Sequence, residues 1–255
     1  MEYAYTTYDK YSATYLADDG LTADRFDSRE GRFNIGLGWR FGAGGTVATR
    51  QPAVRGAYAG VHVGHGGVDS QLSGLHPGDA GLPPEAYSGQ FGAFGGTYGF
   101  FAGYGIALDR WYAGLELEAD ESRVGWQHLR ETAGSGGRDF SVDKKSDYGV
   151  ALRLGYSLDN GALVYGRVGA VRGRFDTTWV RGSNTAAHVD RSDTLDGVRF
   201  GVGAEIPIGR EGFVRLDYSR TRYEDYGFLT THATPDQMAF ENRESLFRIG
   251  LGFRF

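Results

Sequence analysis

The sequence reads as an all-β protein: an antiparallel up-and-down transmembrane β-barrel of eight strands, preceded by an extra hairpin. Three features lead there. From residue 56 onward apolar residues recur with period two rather than 3.6. Connections between the alternating runs switch between tight turns and long polar stretches. The polar face of the runs carries many glycines and a near-balanced set of arginines and carboxylates, an odd composition for a solvated outer face but a fitting one for a narrow lumen.

Taken in chain order, the first element repeats the last. FNIGLGWRF, Phe33 to Phe41, matches FRIGLGFRF, Phe247 to Phe255, at seven of nine positions. Upstream, EYAYTTYDKY (Glu2 to Tyr11) aligns with DYSRTRYEDY (Asp217 to Tyr226), setting Tyr3 on Tyr218 and Thr6 on Thr221. Self-similarity at a fixed spacing is a sign of tandem architecture. Residues 1–42 therefore read as the C-terminal hairpin of a preceding barrel repeat, with strands over 1–15 and 30–41. Residues 43–55 read as a linker and 56–255 as a complete barrel. Bilayer hydrocarbon tolerates no open sheet edge, so the extra hairpin cannot insert alone. Two arrangements fit: it stays outside an eight-stranded ring, or it joins the ring and expands it to ten.

Within 56–255 the expected strands lie near 56–67, 96–108, 111–124, 146–158, 162–176, 196–207, 212–225 and 244–255. In the third, Trp111, Ala113, Leu115, Leu117 and Ala119 oppose Tyr112, Gly114, Glu116, Glu118 and Asp120. The fourth sets Leu152 and Leu154 against Arg153, and the sixth sets Phe200 and Val202 against Arg199. The fifth is ambiguous, since Val164, Val168 and Ala170 compete with Tyr165 and Val171. Tight turns join strands 2–3, 4–5 and 6–7, and Asn160-Gly161 is the strongest hairpin signal among them. The other connections, near 68–95, 125–145, 177–195 and 226–243, are expected to be long loops. Such alternation is the habit of outer-membrane barrels.

Composition narrows the alternatives. No run of about 18 apolar residues exists, which excludes a spanning helix. A mean hydropathy of −0.39 does not exclude a spanning barrel, where only every second residue faces lipid. The chain has no cysteine, so no disulfide or thiolate metal site is available. Its net charge of −5 offers no basic field to nucleic acid. The opening MEYAYTTYDK lacks a charged and an apolar signal region, so any export signal is expected upstream of it.

Period two alone does not say which face looks outward, and a soluble ligand-binding barrel would turn the apolar face inward. The inward charges decide for lipid outside: Arg153, Arg167, Arg199, Arg215 and Arg248 against Glu116, Glu118, Glu205 and Asp217. Arginine suits bidentate pairing with carboxylates in a filled lumen. These nine residues are the expected lumen charge network.

GAYAGVHVGHG at the first strand, YGFFAGYGIAL at the second, VRLDYSRTRYEDYG at the seventh and the closing FRIGLGFRF together resemble the OmpA-type small-barrel family, the porin-like and opacity-protein-like outer-membrane domains of Gram-negative bacteria. The resemblance implies a place in the outer membrane, with its lipid and lipopolysaccharide as partners. It implies that Phe253 and the terminal Phe255 form the signal read by the barrel-assembly machinery, with Phe41 in that place in the copy. It also implies anchoring, envelope-integrity or surface-interaction roles, with loops whose ligand it does not name. A small-solute porin or narrow gated channel is the alternative.

Catalysis is not expected. None of His62, His65, His76, His128, His188 or His232 has serine two residues on, the pairing of lipid A deacylases. His188 precedes Asp190 by two residues, but on a polar loop that spacing is more often coincidence. Neither His62 nor His65 has metal-site spacing, and no glycine stretch makes a phosphate cradle, so no cofactor is expected. The charged stretches Asp143-Lys144-Lys145 and Asp190 to Asp196 read as solvated loop side chains.

Overall fold

Alternation of apolar with small or charged residues makes strand, and strand is nearly all that the described residues contain. The computed structural model describes residues 2–7, 11–17, 20–26, 29–34, 56–78, 83–132, 138–181, 188–230 and 235–255. Among these residues thirteen strands follow in order: β1 (Glu2–Thr7), β2 (Tyr11–Ala17), β3 (Gly20–Phe26), β4 (Arg29–Asn34), β5 (Gly56–His76), β6 (Glu85–Leu108), β7 (Trp111–Thr132), β8 (Arg138–Ser157), β9 (Leu163–Arg181), β10 (His188–Ile208), β11 (Gly212–Tyr223), β12 (Tyr226–Leu229) and β13 (Gln237–Arg254).

Eight of them close into a ring of antiparallel neighbours, β5-β6-β7-β8-β9-β10-β11-β13 and back to β5. Expansion to ten strands does not occur, because β13 pairs directly with β5 from Gln237↔Leu75 to Arg254↔Tyr58. Paired residues traced once around the ring run from Ala102 through Leu117, Val150, Ala170, Val198, Arg222, Arg243 and Asp69 to Gly92, ten residues from the start on β6. A stagger of that size over eight strands tilts them by about 40° from the barrel axis. The three expected tight turns are present. In one, Gly161 takes φ +80°, which its missing Cβ permits, and Asn160 Oδ1 accepts from the Ala162 amide at 3.0 Å.

Faces are as expected in the lower barrel. Leu152, Phe200 and Leu251 are 60, 59 and 53 % exposed, whereas Arg153, Arg199 and Arg248 are buried in the lumen. The ambiguous strand resolves with Val164 and Val168 outward and Tyr165 and Val171 inward. On β6, outward Tyr98, Phe100, Tyr104, Ile106 and Leu108 run about 33 Å along the strand. At that tilt the apolar band is about 25 Å tall, the height of a spanning barrel's belt.

The long connections differ from expectation. Most of 68–95, 125–145, 177–195 and 226–243 is strand, so the wall rises well past the belt. The cause is an inversion of chemistry without loss of period. On β5 inward Tyr58 and His62 give way to inward Val68 and Leu72, while outward Val61 and Val63 give way to Asp69, Gln71 and Ser73. On β7 inward Glu116, Glu118 and Asp120 give way to Val124 and Trp126, and outward Leu115 and Leu117 to Glu121 and Arg123. Below, lipid solvates the wall and charges fill the lumen. Above, water solvates the wall and an apolar core fills it.

The N-terminal strands lie outside the ring. β1 pairs β4, β2 pairs β3, and β3 adds to the upper end of β7 through Thr22↔Thr132 to Arg25↔Leu129. The expected linker over 43–55 and the aromatic end at Phe41 fall outside the described residues.

Candidate functional site: a sealed charge network

Glycines on the inner face create the space for long charged side chains. A Cβ on Gly103 would stand 2.4 Å from the Tyr58 hydroxyl, and one on Gly203 would stand 2.3 Å from that of Tyr165. Both rings lie flat across the neighbouring strand, and their hydroxyls donate inward, Tyr58 to Glu116 at 2.9 Å and Tyr165 to Asp217 at 2.9 Å.

All nine expected network residues meet in the lumen, in three tiers. In the lowest, Arg153 donates to Glu205 at 2.5 Å and to Glu116 at 3.1 Å. Arg215 reaches both carboxylates at 2.8 Å. In the middle, Arg167 pairs with Glu118 at 2.6 Å. Arg248 is shared among Glu118 and Asp120 at 3.0 Å and Asp217 at 2.8 Å. At the top, Arg199 bridges Glu118 at 2.8 Å, Glu244 at 3.1 Å and Asp147 at 3.2 Å.

Several members escaped the sequence reading. Asp120, Asp147 and Glu244 carry part of the negative charge, and Arg254 closes the lower end by donating to Glu205 at 2.8 Å. Lys144, expected on a solvated loop, is buried and bonded to both Asp147 and Glu244. A bulge at Lys145 explains it: the register of β8 slips between Lys144 and Ser146, so Lys144 and Asp147 both turn inward. Asp196, also assigned to a loop, lies outward on β10 and accepts from Arg172 at 2.8 Å.

Within the network the charges balance: buried Lys144, Arg153, Arg167, Arg199, Arg215 and Arg248 with part-buried Arg254, against buried Glu116, Glu118, Asp120, Asp147, Glu205, Asp217 and Glu244. Burying such ions is tolerable only when every one is paired and hydrogen-bonded. Between them the gap lined by His62, Phe101, Glu118, Arg167 and Arg248 is too narrow for a water molecule.

Aromatic clusters pack against the network. Among its lower tiers Tyr58, Phe101 and Phe213 pack together, as do Tyr112, Leu163 and Tyr165. Above it, Trp126, Phe140, Phe175, Trp179, Tyr223, Tyr226 and Phe240 form one cluster, with Phe91 on Trp126 at 4.4 Å and Phe140 on Phe240 at 5.2 Å between centroids. Burial there pushes the Tyr226 phenol up to about 12, despite its hydrogen bond with Thr177.

Two histidine–carboxylate pairs were not legible in the sequence. His62 faces the lumen as expected and bonds Asp120. At the upper rim His76 Nδ1 meets Asp236 Oδ1 at 2.5 Å, with the Tyr87 hydroxyl 3.3 Å from the other oxygen. His65 faces outward and stacks on Phe94. Asp190 is exposed, while the side chains of His128, His188 and His232 lie outside the described residues. No three His, Cys, Asp or Glu among the described residues are grouped to hold a metal ion. Phe253 and Phe255 stand outward at the lower margin of the belt, beside the short turns.

The fold has solved counterparts. OprG from Pseudomonas aeruginosa aligns with a TM-score of 0.50 at 15 % identity, over 79 % of this chain and 97 % of that one. The outer membrane protease OmpT from Escherichia coli aligns at 0.49 and 10 % identity, over 82 % of this chain and all of that one. Ail, the attachment invasion locus protein of Yersinia pestis, aligns at 0.37 and 14 % identity, over 79 % and 100 %. No curated protein matches by sequence. Residues 42–255 match the outer membrane protein β-barrel domain, and the chain belongs to that family, at home in the outer membrane.

Proposed function

We propose that the protein is a closed anchor in the outer membrane that carries a rigid β-walled tower outside it, and that it neither conducts nor catalyses. The observation carrying this reading is the lumen at belt height. Buried arginines and carboxylates interlock there among packed aromatic rings, and an aromatic cluster fills the barrel above them. A solute would have to break several buried ion pairs at once, at about 3–5 kcal/mol for each charge left unpaired. In planar bilayers the full chain is expected to give no steady conductance above background. Steps of defined size from the unaltered protein would overturn the reading in favour of a porin or gated channel.

The outer wall supports lipopolysaccharide as a partner on this reading. Arg172, Arg220, Arg222 and Arg243 stand outward just above the apolar belt, the level of lipid phosphates, where arginine pairs well. Phe253 and Phe255 supply the aromatic strand end that the barrel-assembly machinery would read.

A further inference from the structure

The N-terminal hairpin repeats the closing hairpin of the barrel pair for pair. Tyr3 faces Phe33 across β1 and β4, as Tyr218 faces Phe247 across β11 and β13. Thr6 faces Glu30 as Thr221 faces Glu244. Further up, Tyr11 faces Phe26 as Tyr226 faces Phe240, and Thr14 faces Ala23 as Leu229 faces Gln237. Each match obeys the offsets of 215 and 214 that align the two sequences. A slip of one residue would send every side chain to the other face, so a shared register means a shared inside and outside.

We propose that residues 1–41 are a second closing hairpin, able to occupy the gap between β10 and β5 that β11 and β13 fill. In that place Tyr3 would sit on Val202, as Tyr218 does, and Phe33 on His65, as Phe247 does. Positions that face the lumen in the barrel keep their chemistry in the copy: Asp217 becomes Glu2, Thr221 stays Thr6 and Glu244 stays Glu30. β5 is the next strand in chain order after β4, so the two would be sequence neighbours across the new seam. The outcome is a circularly permuted ring of eight strands in one chain.

One departure decides which hairpin wins. Arg248, bonded to Glu118, Asp120 and Asp217, corresponds to Asn34. Asparagine neutralises none of those carboxylates, so β11 and β13 hold the gap and the first hairpin stays outside. The occupant is this chain's own hairpin, favoured over a second copy by the high effective concentration of a tethered strand.

Because the chain has no cysteine, engineered pairs report each seam cleanly. Paired residues of an antiparallel ladder lie within disulfide reach. In the full chain, Val202→Cys with Tyr218→Cys is expected to cross-link almost completely, and Val202→Cys with Tyr3→Cys only as a minor fraction. Adding Asn34→Arg should raise that minor fraction several-fold. Adding Arg248→Glu as well should make it the major product, in a barrel that still shifts on a gel only after boiling. The proposal is overturned if Asn34→Arg leaves the Tyr3–Val202 yield unchanged, or if that cross-link joins two chains. It is equally overturned if the chain carrying both Arg248→Glu and Asn34→Arg fails to fold.

Discussion

Two arginines on this barrel, each bonded to carboxylates, have opposite worth. Arg199 is buried among Glu118, Asp147 and Glu244, whereas Arg172 is half exposed beside Asp196. Removing Arg199 leaves three carboxylates short of a partner in a dry lumen. Arg199→Ala is expected to cost about 3–5 kcal/mol, read as an earlier midpoint in denaturant for the protein in lipid vesicles. Arg172→Ala should leave that midpoint almost unmoved, since exposed pairs are screened by water and salt. Its effect has a definite sign in pH. The hydrogen bond from Arg172 holds the Asp196 carboxyl below its ordinary value, so the pair's small contribution is present at neutral pH. It is lost as pH falls through the lowered carboxyl pKa. An Arg199→Ala midpoint equal to the native one would remove the network from the list of stabilising features. Most of the nine network residues were legible because strand alternation set them against outward apolar residues such as Leu152 and Phe200. Lys144 was not, since a bulge at Lys145 breaks that alternation where it matters.

Each strand carries two messages in one period. From Trp111 to Ala119, β7 reads apolar outward, and from Val124 to Trp126 it reads apolar inward, on an unchanged pleat. The lower stretch is recognisable as a barrel strand on sight. The upper stretch, with Glu121, Arg123 and Gln127 on its outer face, reads as loop because the outward residues have become those of a water-facing surface. Strand persists there because the inward residues still bury an aromatic core. The two zones predict different tolerance along one strand. Leu152→Arg, at mid-belt on β8, should destabilise by about 2–4 kcal/mol, as a cation at the bilayer midplane does. Gln71→Arg, outward on β5 above the belt, should fold and unfold like the parent. Equal loss from both substitutions, measured by urea unfolding in vesicles, would mean that the belt ends higher than the inversion of chemistry places it.

How the parts combine is clearest at the ring's seams. All eight contacts between neighbouring strands lie within residues 56–255, so closure owes nothing to the N-terminal hairpin. The repeat at either end of this chain was plain in the sequence, from FNIGLGWRF and FRIGLGFRF, but the number of strands in the ring was not. Eight and ten satisfy the same alternation, and the choice rests on which strand meets β5. The lumen makes that choice, because β13 brings Arg248 to three waiting carboxylates and β4 brings Asn34. A chain beginning at residue 56 should therefore assemble into the same heat-modifiable barrel, with the same unfolding midpoint as the full chain. The one place it should differ is the upper end of β7, where β3 pairs with Leu129 to Thr132. Hydrogen exchange of those amides should accelerate on removal of residues 1–55, while the amides of Ala113 to Ala119, held between β6 and β8, stay as slow as before. Loss of the gel shift, or faster exchange spreading down β7 into the belt, would mean that the hairpin is a working part of the wall rather than a spare for it.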